Sequence, residues 1–349
     1  MPLEKHNPQE LKLMVFMKYH RLHSITCPLR FPALSFPNSR ILCFAKKSIS
    51  MEGIQNGNMV VGDFVSLQNK IAAIRADGSS KLQVIVDFDG TLTKYNINGR
   101  RGDTSHALVQ QTNPDYDIKR QKLYDYYHPL EICPTITVEE KTKLMEEWWE
   151  KTHALLVEGG LTYADIQKSV AKSRIGFREG VFTLFELLEE KNVPVLIFSA
   201  GLADIIEEVL RQRFDRSFKN IEIVSNRMMF DDSGNLLAFK GKTIHVLNKN
   251  EHALDMAAPL RDTLDHINEQ VIDHSSMKKR TNVLLLGDHI GDLGMSDGLN
   301  YGTRISVGFL NDKIEESLES YREAFDVLYL NDAPMLGVVN LVSQLIQEA

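Results

Sequence analysis

The sequence predicts an α/β fold, with a parallel sheet core and a helical segment inserted after its first strand. Three observations carry that reading. "KLQVIVDFD" (81–89), "VPVLIFSAG" (193–201) and "TNVLLLGDHIGD" (281–292) are short apolar runs ending in polar residues, each the length of a buried strand. Stretches with i, i+3, i+4 apolar spacing, "GVFTLFELLEEKN" (180–192) and "LADIIEEVLRQRF" (202–214), alternate with them, as right-handed crossovers between parallel strands require. Between the first and second of these strands lies a long segment with helices of its own.

Composition fits that class. At 349 residues, 43% hydrophobic and 25% charged, the chain has enough apolar material for two domains. Cys27, Cys43 and Cys133 are widely separated and form no CxxC pair, so neither a disulfide framework nor a zinc knuckle is indicated and a reducing, cytoplasmic compartment fits best. A net charge of −7 argues against binding to nucleic-acid polymers or anionic membranes, while a small anionic substrate remains compatible with a locally positive site. No run of 18 apolar residues occurs, so no membrane-spanning helix is expected.

Taken in order, residues 1–57 read as a basic tail. The first fifty carry eight Lys or Arg against only Glu4 and Glu10, and residues 11–50 contain no acid. That composition suits a disordered tail, an upstream extension with Met51 as a second start, or an organelle-import segment. The core is expected over 58–98 and 176–349, with 99–175 as a helical cap hanging over the carboxyl edge of the sheet. Within the cap, "TVEEKTKLMEEWWEKTHALLVEGG" (137–160) opens with a capping box from Thr137 to Glu140, closes on Gly159-Gly160 and sets Leu144, Trp148, Leu155 and Leu156 near one face. "TYADIQKSVAKS" (162–173) predicts a second helix, "MMFDDSGNLLAFKG" (228–241) a β-hairpin with a Ser-Gly turn, and residues 250–275 a long helix leading into the third strand.

In an open parallel sheet the ligand sits outside the carboxyl ends of the strands. All three apolar runs end there in polar residues: Asp87 and Asp89, Ser199, then Asp288 and Asp292. A lone acid is ordinarily a solvated surface residue, and D-x-D-G alone also opens a calcium loop. That loop needs a preceding helix and a bidentate carboxylate at its twelfth position, where Asn98 stands. Two carboxylates at the end of a buried strand are costly unless a cation compensates them. Asp288 and Asp292 would complete such a site.

DFDGT after the first strand, Ser199 after the second, a lysine before the third and GDxxxD after it together resemble the haloacid-dehalogenase-like phosphatase superfamily, with its Rossmann-like core. More narrowly, "YYHPLEICPTITVEEKTKLMEEWWEKTHALL", "VPVLIFSAGLADIIEEVLRQRF", "IEIVSNRMMFDDSGNLLAFKGKTIHVLNKN" and "VLLLGDHIGDLGMSDGL" resemble the cytosolic pyrimidine 5′-nucleotidase family. The likeness spans about residues 60–349 and leaves the basic tail uncovered.

The resemblance implies Mg²⁺-dependent hydrolysis of nucleoside 5′-monophosphates, CMP and UMP favoured, by a monomer. Asp87 would be the nucleophile. A carboxylate about 4 Å from a phosphate dianion meets repulsion of about 8 kcal/mol at an effective dielectric of 20, so a metal must offset it. The ion would be held by a carboxylate oxygen of Asp87, the backbone carbonyl of Asp89 and the side chain of Asp288, with Asp292 orienting them. Asp89 would protonate the departing 5′-oxygen and then deprotonate the attacking water. Gly90 lets the turn form where family members often carry a larger residue, and Thr91 would bond the phosphate or the loop.

Ser199, with the backbone of Ala200 and Gly201, would make an anion site, although a plain helix-capping serine reads the same way. Lys249 is the phosphate lysine by position in the family, a choice that spacing alone does not make over Lys240 or Lys242. Glu131 would contact the base, and Thr152 with His153 stands where family members have Ser-His. Trp148 and Trp149 project about 100° apart on a helix, so one would pack in the core and the other stack on the base, or both would pack. A phosphotransferase or a small-metabolite phosphatase acting on a compound such as phosphoserine shares this core. A non-catalytic nucleotide sensor has no use for the unbroken set Asp87, Asp89, Ser199, Lys249 and Asp288.

Overall fold

The computed structural model describes residues 54–55, 58–109, 114–131, 133, 135–250 and 279–347. Residues 1–53 of the expected tail and all but the first residue of the helix expected over 250–275 lie outside the described residues; Ile54–Gln55, expected in the tail, instead pair with the next strand as the edge of the core sheet.

Strands β1 (Ile54–Gln55) and β2 (Met59–Val61) precede helix α1 (Phe64–Asp77). Asp63 caps α1 by accepting from Ser66 N at 3.0 Å, and Leu67, Ile71 and Ile74 form its buried stripe. Strand β3 (Leu82–Val86) is buried along its whole length. Its alternation sends Val84 and Val86 into one apolar cluster and Ile85 into another on the opposite face, as a strand covered on both sides demands. A wide turn, Phe88–Leu92, follows, its backbone non-helical at Asp89 and Gly90. Next comes a two-residue-per-strand ribbon of β4 (Asn96–Ile97) and β5 (Arg100–Arg101), whose turn residues Asn98 and Gly99 have φ of 53° and 75°.

Three helices are inserted there: α2 (Pro114–Glu131), α3 (Val138–Glu158) and α4 (Tyr163–Lys172). The capping box of Thr137 and Glu140 forms as the sequence predicts. The buried stripe of α3, however, is Met145, Thr152, His153 and Leu156. The expected face of Leu144, Trp148, Leu155 and Leu156 is therefore rotated, with only Leu156 fully buried, because α3 packs against α2 on one side and against strand β8 (Leu236–Lys240) on the other.

The core resumes with α5 (Val181–Glu190), β6 (Val195–Leu202), α6 (Ala203–Arg213), β7 (Ile221–Phe230) and β8. It closes with β9 (Asn282–Gly287), β10 (Thr303–Leu310), α7 (Ile314–Ala324), β11 (Val327–Leu330) and α8 (Leu336–Leu345). Nine strands form one sheet in the order β1-β2-β11-β10-β9-β3-β6-β7-β8. From β11 through β7 all neighbours are parallel, and antiparallel strands stand at the two ends. The hairpin expected over 228–241 is the antiparallel end of β7 with β8; β7 also runs back to Ile221 as a further parallel strand beside β6. In the middle, β3 and β9 are paired Val86 to Leu286, so the two acid-bearing strand ends emerge side by side.

Candidate active site

Asp87 leaves β3 with its N–H donated to Leu286 O of β9 at 3.0 Å, which fixes its height on the sheet edge. The chain then turns through Gly90 at φ 80°, ψ −9°. A Cβ at Gly90 would collide with Asp288 Oδ2, so this glycine both turns the loop and makes room for the neighbouring acid. Gly90 N donates to Thr93 Oγ1 at 3.0 Å, and Thr93 Oγ1 donates to Phe88 O at 3.4 Å. The loop-bonding role expected of Thr91 thus falls to Thr93. Thr91 Oγ1 is buried, has no partner among the described residues and does not line the cavity.

Arg178, fully buried, braces the same loop from beneath. Its guanidinium donates to Thr91 O at 2.8 Å, Gly90 O at 2.5 Å and Ala333 O at 2.8 Å, pairs with Asp332 at 2.9 Å and lies over the Phe309 ring. A planar five-donor fork suits three carbonyls and a carboxylate as no ammonium does.

Asp288 follows β9, and Asp292 holds its turn: Asp292 Oδ2 accepts from Asp288 N at 3.1 Å and His289 N at 3.0 Å. Asp87, Asp288 and Asp292 each place a carboxylate oxygen within 4.8 Å of the others. Lys249 enters this group, its Nζ 2.5 Å from Asp87 Oδ1 and 2.8 Å from Asp292 Oδ1. Lys249 lines the cavity, whereas Lys240 and Lys242 do not. The loop carrying Lys249 is shaped by Asn248, which accepts from His245 N at 2.7 Å and donates to Thr243 O at 2.9 Å.

Burial dominates the electrostatics. Loss of solvation pushes the Asp87 carboxyl up to about 7, opposed by Lys249 and reinforced by Asp292. Asp288 is raised well above the usual carboxylate range by burial and then by Asp87 and Asp292. Lys249 is raised, since the attraction of Asp292 and Asp87 outweighs its own desolvation. Among the described residues these three acids touch one ammonium directly, and the Arg178 charge acts on Asp288.

Asp89 lies apart from that group. Its carboxylate faces Ser105, which donates its N–H to Oδ1 at 2.8 Å and its hydroxyl to Oδ2 at 2.5 Å. Burial raises the Asp89 pKa and these two bonds oppose the shift.

Ser199 and Gly201 lie where β6 breaks register with β7, between Phe198 and Leu202, and bring that irregular strand end to the site. Ser199 Oγ accepts from Gly201 N at 3.0 Å, and Ser225 and Asn226 donate to Gly201 O at 2.8 Å and 3.1 Å. Leu202, not Ser199, occupies the N-cap of α6, so the plain capping role does not apply to this serine. Ala200 O accepts from Trp149 Nε1 at 3.1 Å, a direct tie between α3 and this end of β6.

These groups floor a cavity of about 680 Å³ roofed by α2 and α3. Glu131, Thr152, Trp148, Trp149, Tyr124 and His128 line its upper part. Neither tryptophan is a core residue: both are half-buried and both line the cavity, because α3 faces the sheet edge rather than the sheet interior. Trp148 stacks on Tyr127, with ring centroids 5.8 Å apart at 11°. Thr152 spends its hydroxyl proton on Trp148 O at 2.8 Å, leaving an oxygen lone pair and a methyl group toward the cavity. Burial raises the Glu131 pKa. Arg101, Arg120, Arg174 and Ser105 were not foreseen; the Asn98-Gly99 pair is the hairpin signal that would have brought Arg101 and the following segment to the site.

Two acid-bearing strand ends side by side in a parallel sheet, under helices inserted after the first of them, define a haloacid-dehalogenase-like phosphatase. The crystal structure of cytosolic 5′-nucleotidase IIIB bound to cytidine has this fold, with a TM-score of 0.72 and 28% identity over 83% of this chain and 94% of that one. The chain belongs to the pyrimidine 5′-nucleotidase (UMPH-1) family, whose model matches residues 90–346, and it is a 5′-nucleotidase. It is 41% identical over 284 residues to the 7-methylguanosine phosphate-specific 5′-nucleotidase A of Xenopus laevis, covering 80% of this chain and 92% of the relative. To the human 7-methylguanosine phosphate-specific 5′-nucleotidase it is 38% identical over 278 residues, 78% of this chain and 87% of the relative.

Proposed function

We propose that this chain is a Mg²⁺-dependent enzyme that hydrolyses nucleoside 5′-monophosphates, CMP and UMP favoured, through an aspartyl-phosphate on Asp87. The observation that carries the reading is the placement of Asp87 on the cavity floor, against Lys249 and within reach of Asp288 and Asp292.

The donor set fits the metal. Carboxylates of Asp87 and Asp288, with the backbone carbonyl of Asp89, are hard oxygen ligands, and three carboxylates within 4.8 Å of one another at the end of buried strands are a setting in which a cation offsets the charge. When bound, Mg²⁺ supplies charge neutralisation between the carboxylate and the phosphate.

The residues divide the remaining work. Lys249, Ser199 Oγ and the amide of Ala200 bind the phosphate oxygens and turn the phosphorus toward Asp87. Asp87 attacks phosphorus as the bond to the 5′-oxygen breaks, and Asp89 gives that oxygen its proton. Asp89, now a carboxylate, takes a proton from water as the water oxygen attacks phosphorus, releasing phosphate and restoring Asp87. The helical segment 99–175 selects the base: Glu131 accepts from an exocyclic amine, and Trp148 or Trp149 offers a face for stacking. The cytosolic designation of the solved relative supports a cytoplasmic enzyme.

A second reading is favoured by one feature. Trp148, Trp149 and Tyr124 surround a cavity wall that also carries Glu131, and an aromatic box with a carboxylate suits a cationic base. Methylation at N7 makes guanine such a base, and the curated relatives described above are named for that substrate. Phosphate release from CMP, UMP, AMP, GMP and 7-methylguanosine monophosphate, with and without a second nucleoside as acceptor, ranks the two readings and detects phosphoryl transfer. In Asp87→Asn, turnover and the hydroxylamine-sensitive phosphoenzyme should both vanish; labelling that persists would remove Asp87 from the chemistry.

A further inference from the structure

We propose that Ser105 is a positioning residue that aims the Asp89 carboxyl at the departing 5′-oxygen, and that it makes general acid catalysis depend on the chain segment leading into the inserted helices. The inference rests on the reading of Asp89 as general acid.

The geometry is two-handed. Ser105 gives its N–H to Asp89 Oδ1 and its hydroxyl to Asp89 Oδ2, at 2.8 Å and 2.5 Å, so one residue fixes both the rotamer and the plane of the carboxyl group. Each oxygen keeps a second lone pair for proton transfer. Without that grip Asp89, on a short side chain beside a turn, has no other hydrogen-bond partner among the described residues to set its orientation.

The grip is built rather than incidental. Ser105 is completely buried, and its turn is closed by Thr104, whose carbonyl accepts from Ala107 N at 3.0 Å and Leu108 N at 3.1 Å and whose Oγ1 accepts from Ala107 N at 3.2 Å. On its far side lies Gly201, where any Cβ would collide with Ser105 Oγ. The absent side chain at 201 is thus the space the serine hydroxyl occupies. Ser105 also follows β5 and precedes α2, so displacement of this segment would release Asp89.

Because Ser105 acts through another residue, the test must separate aim from structure. Departure of a nucleoside alkoxide needs a proton, whereas p-nitrophenolate leaves without one, and kcat/KM reports the steps through that departure. Ser105→Ala, Asp89→Asn and the unsubstituted protein are compared at saturating Mg²⁺ on p-nitrophenyl phosphate and on the nucleotide cleaved best. The expectation is that Ser105→Ala lowers kcat/KM for the nucleotide at least ~30-fold more than for the nitrophenyl ester, a part of the roughly 10²–10⁴-fold that general acids supply, and that Asp89→Asn shows the same asymmetry more strongly. Gly201→Ala, which displaces the serine hydroxyl, should repeat the asymmetry. Equal losses on both substrates in Ser105→Ala, with the asymmetry kept in Asp89→Asn, overturn the role of Ser105 alone. No asymmetry in Asp89→Asn overturns the general-acid reading and this proposal with it.

Discussion

Lys249 Nζ sits 2.5 Å from Asp87 Oδ1, and both side chains are almost wholly buried. An ammonium this close to the proposed nucleophile is the sole cation touching a three-acid cluster among the described residues. Lys249→Met should therefore lower turnover by at least about 100-fold, the loss typical of a removed charge stabiliser. It should also lower the thermal midpoint in chelator, since breaking a buried pair leaves uncompensated charge. Added Mg²⁺ should restore more of the midpoint in the variant than it adds to the parent. Unchanged turnover would show that the lysine only packs.

Metal dependence follows from the same cluster. Activity should disappear in chelator, return with Mg²⁺ and be suppressed by competing Ca²⁺, whose longer and looser oxygen shell misplaces the attacking carboxylate. Phosphate release measured across the two ions decides the matter, and full activity in chelator would remove the metal from the mechanism.

The roof is tested at Glu131. Glu131→Ala should lower kcat/KM for CMP by about 1–3 kcal/mol, the usual discrimination of a good polar contact to a base, with Mg²⁺ dependence intact. p-Nitrophenyl phosphate, which has no base, should hardly respond. Equal losses on the two substrates would place Glu131 in the chemistry or the scaffold.

His153 gives a pH prediction. It is buried flat against Phe239, with ring centroids 3.9 Å apart at 9°, and its Nε2 has no partner among the described residues. Burial, then the neighbouring His106, pulls its pKa down to about 3. The native state therefore holds this ring neutral while the unfolded chain, with an ordinary imidazole pKa near 6.5, takes up a proton. Stability tied to His153 is complete above that value and is lost as pH falls from ~6.5 toward the folded pKa, at up to about 1.4 kcal/mol per unit. Denaturant midpoints of the parent and of His153→Phe, followed from pH 7 to 5 at saturating Mg²⁺, should converge or cross in favour of the variant as pH falls. Parallel curves would mean that the imidazole protonates in place.

Much of the core and the floor of the site could be read from the chain. β3, β6 and β9 announce themselves because parallel strands covered on both faces are continuous apolar runs, and the polar residues ending those runs are the ones gathered at the sheet edge. α3 declared its start through Thr137 and Glu140, but its buried face did not follow from apolar spacing, since a roof helix facing a cavity exposes tryptophans and buries Thr152 and His153. None of α2 follows from the sequence pattern: its apolar residues are sparse and Pro129 interrupts its last turn. Ser105 and Arg178 were invisible for a different reason. Each works through partners at least 16 residues away in sequence, Asp89 for the serine and the Gly90 and Asp332 regions for the arginine, and local pattern carries no trace of such pairings.

The pairing of Val86 with Leu286 has a consequence for how the enzyme fails. Asp87 and Asp288 hang from adjacent strands at the middle of the sheet, so a slip of one residue would part them by ~3.3 Å and turn one of them to the opposite face. Peripheral strands and roof helices can fray while the acids stay in register, but the acids cannot separate while the middle strands hold. Heat inactivation that breaks this central ladder should then be all-or-none in each molecule, whereas loss of the roof, which carries Ser105 and Glu131, leaves Asp87 and Asp288 in register.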